Sequence, residues 1–171
     1  MPDITGKFSK RSDKVPFMLI QNESTTKGFR MQGFTEVSVS LNPKEYTRKY
    51  IDEESDRTDI TGYGRSMSYS FDHYVGNEVQ NKIVEITDGE LTGADAVVGI
   101  VMVDMLTEGA ASGAKKAVKR DFSVIPDSEG GDENAYTYSG NFKANGEKVE
   151  GSATTTDGWK TITFTESKIT E

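Results

Sequence analysis

The sequence predicts a mainly β fold, a sandwich or open barrel of about nine strands with one flanking helix. Three observations predict it. Apolar and polar residues alternate with a period of two over much of the chain, as half-buried strands require. A single stretch, about 77–88, carries apolar residues at helical spacing between a cap and a stop. The dipeptides Asn42-Pro43, Asn145-Gly146 and Asp157-Gly158 punctuate the strands as turns or breaks.

Taken in order, a basic leader of about residues 1–14 precedes a short apolar strand, Val15 to Ile20. From Lys27 to Leu41 the chain alternates, with Thr35, Val37, Val39 and Leu41 on one face. Proline at 43 removes a ladder donor and restricts Asn42, so this strand stops there. Lys44 to Ile51 alternates again, placing Tyr46, Arg48 and Tyr50 on one side. A polar segment follows, and about 42–62 reads as an extended loop. Tyr63 to Tyr74 then aligns Met67, Tyr69, Phe71 and His73 on one face. Asn77 is an N-cap residue with Gln80 three positions on, as in a capping box, and Gly89 ends the helix. Val79, Ile83 and Ile86 give that helix one apolar stripe.

Ala96 to Leu106 is apolar on both faces and predicts a strand covered on both sides. Lys115 to Ile125 carries Val118, Phe122 and Val124 on one face, and "PDSEGGDEN" reads as a second acidic loop. Tyr136, Tyr138, Gly140 and Phe142 alternate with polar residues up to Asn145-Gly146, a dipeptide suited to a type I′ hairpin turn. The return strand, Lys148 to Thr156, is small and polar, and Asp157-Gly158 turns the chain into Trp159 to Thr165. No internal repeat and no linker interrupts the chain, so residues 1–171 read as one domain.

Composition removes several function classes. The charge is −8, from 28 acids against 20 bases, and an acidic surface repels phosphate rather than displacing its counterions. Gripping nucleic acid is therefore disfavoured, whereas letting DNA slide past is compatible. With no cysteine, disulfides, zinc–thiolate sites and thiol nucleophiles are excluded. No run reaches the ~18–20 apolar residues of a membrane span, and the N-terminal residues lack the apolar core of a secretory signal. Synthesis in the cytoplasm is the expectation.

The densest candidate for chemistry is "YIDEESDRTDITGY", Tyr50 to Tyr63, with Asp52, Glu53, Glu54, Asp56 and Asp59 offset by Arg57. A calcium loop needs oxygen donors at fixed steps and a glycine at its sharp turn, but the first glycine here, Gly62, follows the last acid. "DSEGGDEN" has Tyr138 where a closing bidentate acid belongs. A glycosidase-type pair depends on distance in space, and among 28 acids the sequence singles out none. "GAASGAKK" departs from the phosphate-loop spacing and reads as a flexible turn. His73, beside Asp72, reads as a partly buried polar aromatic rather than a catalytic group. Asn22-Glu23-Ser24 fits a glycosylation sequon without a secretory context. No catalytic, cofactor or metal site is expected. What remains is an excess of amphipathic strand, whose edges and polar faces suit a homo-oligomer that closes its sheets around a lumen.

"TDITGYGRSMSYSFDHYVGNEVQNKIVEITDGELTGADAV" and "KKAVKRDFSVIPDSEGGDENAYTYSGNFKANGEKVEGSAT" resemble the major tail (tail tube) proteins of long-tailed bacteriophages of Gram-positive hosts. The likeness runs from about Val37 to Phe164 and lies in the order and texture of its segments. It implies a tail-tube-like β-sandwich or barrel whose subunits form six-fold rings, stacked into a hollow tube through which DNA enters the host. It also implies an acidic lumen and a loop reaching the neighbouring ring, by position residues 42–62. Glu45, Tyr46, Arg48, Tyr50, Asp52, Glu53, Glu54, Asp56, Arg57 and Asp59 are then the expected subunit-interface residues. The implied partners are further copies of the chain and other tail proteins (tape measure, terminator, distal tail), with DNA passing without specific binding and no membrane. The implied location is the virion tail. The alternative is a β-sandwich carbohydrate or cell-wall binding module of a phage tail, with Tyr136, Tyr138 and Trp159 as stacking platforms.

Overall fold

The computed structural model describes residues 6–167. The fold is mainly β. Its strands are β1 Lys14–Asn22, β2 Thr25–Arg30, β3 Phe34–Ser40, β4 Pro43–Arg48, β5 Arg57–Tyr63 and β6 Ser66–Asp72, then β7 Val97–Glu108, β8 Lys115–Gly131, β9 Tyr136–Ala144, β10 Val149–Thr154 and β11 Thr161–Glu166. One α-helix, α1 Glu78–Asp88, lies between β6 and β7. Hydrogen bonding runs in the order β10-β11-β2-β1-β7-β8-β9-β6-β3, and among the described residues β4 and β5 pair only with each other.

Two strands more than expected have identifiable causes. Lys27 to Leu41 is two strands, because Gly33 takes a left-handed φ of 75° and separates β2 from β3. The threonine-rich half of the acidic segment is itself a strand, β5. Of the expected leader, residues 1–5 lie outside the described residues, Arg11–Asp13 form a 3-10 turn, and β1 begins at Lys14.

The chain divides into two compact units. The first comprises Met1–Gln32, Val98–Asp121 and Glu147–Glu171. Its strands follow β10-β11-β2-β1-β7-β8, and β10 also pairs with β8, placing Gly151 opposite Ala117 and Ala153 opposite Lys115. The ring of strands closes, so this unit is a barrel. Val15, Phe17, Val101, Val103, Ala117, Ala153 and Ile162 form its core, with Trp159 and Phe164 packed against it. The small residues of β10 follow from this closure. A methyl group on Gly151 would stand 2.2 Å from Thr165 O and 2.7 Å from Phe164 Cζ, so β10 fits between its neighbours only without that side chain. β7 is buried on both faces, Val98 and Ile100 on one and Val101 and Val103 on the other, as its apolar run predicts.

The turn from β10 to β11 is organised by one carboxylate. Asp157 Oδ1 accepts from the backbone N–H of Lys160 (3.2 Å) and Thr161 (3.0 Å), and Oδ2 accepts from the Thr161 hydroxyl (2.6 Å). These donors, led by the Thr161 hydroxyl, hold the carboxyl at about 2, below its ordinary value of about 4. A depressed folded value means stability present above pH 4 and lost as the pH falls towards 2. Asp157→Asn is expected to flatten this acid limb in a series of melts between pH 2 and 5. An unchanged slope would show that the carboxylate does not stabilise the turn.

The second unit comprises Gly33–Val97 and Phe122–Gly146. It holds the four-stranded antiparallel sheet β8-β9-β6-β3, α1 and the β4–β5 hairpin. Met67, Tyr69 and Phe71 are buried on alternate positions of β6, and Tyr138, Gly140 and Phe142 answer them on β9. The rings interlock: Tyr69 and Phe142 lie 4.6 Å apart, Phe71 and Tyr138 5.6 Å, and Phe34 and Phe71 5.1 Å, edge to face. Asn77 Oδ1 caps α1 by accepting from Val79 N and Gln80 N. Asn77 N–H donates to Tyr74 O (2.9 Å). The fully buried Gln80 amide accepts from Tyr74 N–H (2.7 Å) and donates to Gly33 O (3.2 Å), tying the helix to the start of β3.

Two local expectations are corrected. "PDSEGGDEN" is largely strand: β8 continues to Gly131, with an irregularity between Pro126 and Ser128 that accommodates the missing proline donor. The turn shrinks to about Asp132–Ala135, where Asp132 Oδ1 accepts from Asn134 N and Ala135 N. Asn145-Gly146 does not close a two-residue hairpin. β9 is already paired on both sides, with β8 and β6, so β10 pairs with β8 and β11 instead.

Candidate functional site

Residues 42–62 leave the four-stranded sheet and form the β4–β5 hairpin, an arm paired with no other strand among the described residues. Its base is fastened by Asn42. In the left-handed region (φ 44°), which asparagine tolerates better than most residues, Asn42 donates from Nδ2 to Gly64 O (3.0 Å) and Ser66 Oγ (3.2 Å). Its carbonyl accepts from Gly64 N–H (3.0 Å). One residue thus bridges the chain entering and the chain leaving the arm.

The shaft is a regular antiparallel ladder with a register shift between Lys44 and Glu45. Tyr46 faces Asp59 and Arg48 faces Arg57 on one side, and Glu45 with Ile60 and Thr47 with Thr58 share the other. The Thr47 and Thr58 hydroxyls hydrogen-bond at 2.9 Å. At the tip, Arg57 grips Glu53 through two hydrogen bonds and lies over the Tyr50 ring at 5.9 Å. Arg48 lies over the Tyr46 ring, also at 5.9 Å.

The structure therefore places all ten expected interface residues on this arm, in three groups. Tyr46, Arg48, Arg57 and Asp59 share a shaft face, Glu45 lies on the opposite face, and Tyr50, Asp52, Glu53, Glu54 and Asp56 make the tip. Only Tyr46–Arg48 and Tyr50–Glu53–Arg57 are drawn into contact. Among the described residues no three Asp, Glu or His side chains converge as a metal-binding group.

The arm also exposes side chains that the acidic pattern conceals. Every residue of β4 is exposed, and Ile51 is 107% exposed at the tip, with Ile60 and Tyr63 exposed on β5. A two-stranded hairpin is marginal alone in water, and bare isoleucine and tyrosine add to the cost of leaving it unpartnered. The signal for Ile51 was an isolated apolar residue in a charged run, which spacing alone does not distinguish from loop.

Two further features of the second unit bear on assembly. β3 ends the strand order, so its outer edge is unpaired by any strand among the described residues. The non-core face of the sheet is built from small hydroxyl and amide residues. Ser66, Ser68, Ser70 and Asp72 lie opposite Lys143, Asn141, Ser139 and Thr137 on one side, and Ser40, Ser38 and Glu36 lie opposite Ser66, Ser68 and Ser70 on the other.

The remaining candidates are absorbed by structure. His73 Nε2 bonds Asn81 Oδ1 (3.0 Å) and meets the Tyr138 ring edge-on. Tyr138 is buried, with its hydroxyl 3.4 Å from Asp88 Oδ1; burial, aided by that carboxylate and Glu129, pushes it up to about 12. Trp159 packs against the barrel core, leaving Tyr136 as the exposed residue of the three supposed stacking aromatics. "GAASGA" is the β7–β8 turn, closed by Gly109 N–H to Ala114 O.

No protein-family model matches the chain, and no curated protein matches it. Solved structures do share its fold. A chain of the virion of a native gene transfer agent particle superposes with a TM-score of 0.57 at 10% identity, covering 84% of this chain and 98% of that one. A chain of the tail of an empty gene transfer agent particle, with C6 symmetry, gives 0.58 at 12% identity, covering 82% and 97%. At such identities the likeness is one of fold.

The Asn42 fastening gives a direct expectation. Asn42→Ala should loosen the arm while leaving the sheet intact, seen as faster amide exchange in 43–63 with an unchanged melting temperature. Unchanged exchange would mean that the β4–β5 ladder alone holds the arm in place.

Proposed function

We propose that this chain is a non-enzymatic tail tube subunit, polymerising as stacked six-fold rings into the hollow tail tube of a long-tailed phage. The observation that carries this reading is the arm: a fastened, exposed hairpin, bearing aliphatic and aromatic side chains, on a fold shared with a virion chain and a tail chain of gene transfer agent particles. Such a feature gains stability only by burial against a partner. The open β3 edge supplies a second surface for contact between copies within a ring. The six-fold symmetry of the gene transfer agent tail supports the ring number.

The hydroxyl-rich sheet face is the natural lining. It offers hydrogen-bonding groups but few cations, so DNA passing it releases few counterions and is not held. The net charge of −8 acts in the same direction. In this role the protein resides in the virion tail after synthesis in the bacterial cytoplasm, and it meets the tape measure, terminator and distal tail proteins at the ends of the tube. Of the arm residues, Glu45, Tyr46, Arg48, Tyr50, Asp52, Glu53, Glu54, Asp56, Arg57 and Asp59 are the proposed interface to the next ring. The carbohydrate-binding alternative loses its platform, since Tyr138 is buried and Trp159 is committed to a core.

Electron microscopy of the purified protein tests the proposal. Hollow tubes or six-fold rings are expected, and a strict monomer at high concentration, even with preformed seeds, would overturn it.

A further inference from the structure

We propose that the arm docks through its Tyr/Arg face, not its acidic tip, onto the acidic β8–β9 hairpin of a second copy of this chain. This inference rests on the tube-subunit reading and adds which side of the arm carries the contact and what it meets.

The first argument is the juxtaposition of Arg48 and Arg57. They stand directly opposite one another in the ladder, on the face shared with Tyr46. Like charges so placed repel; Glu53 offsets the Arg57 side, and a further carboxylate seated over Arg48 would turn the remaining penalty into attraction. The second argument is preorganisation. Arg48 lies over Tyr46, and Arg57 is held between Tyr50 and Glu53, so much of their rotamer freedom is already lost before docking. Asp52, Glu54 and Asp56 are exposed carboxylates that would have to shed water, which suits the rim of a contact rather than its centre. Tyrosine and arginine are also the residue types that dominate the energetic centres of interfaces.

The partner follows from charge. Outside the arm, acids concentrate at Asp127, Glu129, Asp132 and Glu133, along the end of β8 and the turn into β9. Residues 125–129 are exposed throughout. Asp132 is occupied in fixing the turn, and Asp127, Glu129 and Glu133 lie exposed around it. Arm and hairpin are different patches, so the contact is heterologous. Such a contact does not satisfy itself in a pair and propagates from copy to copy, as a stack requires.

Charge exchange in the full chain tests this. Arg48→Glu with Arg57→Glu is expected to raise the protein concentration needed for assembly by about thirty-fold or more, the loss of one hot-spot contact. Glu129→Lys with Glu133→Lys should do the same, and the two pairs combined should restore assembly to within a few-fold of the native chain, on the order expected for exchanged partners. Sedimentation and electron microscopy read the outcome, with melting curves verifying that each variant is folded. Normal assembly of the arginine variant, or a combined variant no better than either pair, overturns the docking assignment. A chain whose arm is replaced by a Gly/Ser linker is run in parallel. If it assembles normally, the stacking role of the arm itself fails; if it is blocked while the arginine variant assembles, only the docking assignment fails.

Discussion

Replacing Ile51–Ile60 by a short Gly/Ser linker is expected to yield a folded monomer that no longer stacks. The segment contains no buried residue, and Glu53 is its only half-buried one. Its removal therefore takes nothing from either core, and stability should stay within about 0.5 kcal/mol of the native chain. Assembly should respond in the opposite way. Tyr50–Glu53–Arg57 is dismantled, and Arg57 and Asp59 are lost from the Tyr/Arg face. Sedimentation velocity would then show a single slow species under conditions where the proposed role has the native chain assemble. Normal polymerisation would remove the arm from the stacking mechanism, and a chain that fails to fold would mean that the arm supports its own unit.

Gly140→Ala is expected to have the largest effect on the fold itself. Gly140 lies directly across from Tyr69, whose ring crosses the space where a side chain would stand. An added methyl group would sit 2.6 Å from Tyr69 Oη and 2.5 Å from Ile125 O, the second of which belongs to backbone and cannot swing away. Overpacking of this kind costs about 3 kcal/mol, or roughly 10 °C in melting temperature for a chain of this size. Tyr69 itself sharpens the test. Its hydroxyl is buried and unpaired, and burial pushes it up to about 12, with the nearby Thr87 hydroxyl offsetting part of that shift. Tyr69→Phe should therefore be neutral or slightly stabilising, and combined with Gly140→Ala it should recover part of the loss. No recovery would place the strain wholly at Ile125 O.

The parts of this fold legible in the sequence were those where a local pattern and the tertiary environment agree. Met67, Tyr69 and Phe71 alternate in sequence and are buried on one face, and Asn77 both resembles a cap and caps. The failures arose where a remote element outbid a local signal. Asn145-Gly146 is a good hairpin dipeptide, yet both edges of β9 are taken by strands distant in sequence. Gln80 was read only for its spacing from Asn77, and its tie to Gly33, 47 residues earlier, had no local signal. β5 was hidden because a strand with neither face buried has no hydrophobic alternation to read. For the arm, residue types and position were legible, but the fastening by Asn42 was not. It depends on Gly64 and Ser66 returning to the same place, which no spacing rule encodes.

Closure of β10 onto β8 has a consequence for the protein before it finds its partners. An open nine-stranded sheet would present two long margins of unpaired backbone, each a template on which a stray strand could nucleate a fibril. Here one margin is sealed within the barrel, and the other is confined to the seven residues of β3, irregular between Phe34 and Glu36 and followed at once by Asn42-Pro43. Proline cannot extend the ladder, and a bulge twists an edge away from flat pairing. Within the large sheet, misfolding is thus offered a template of one short strand.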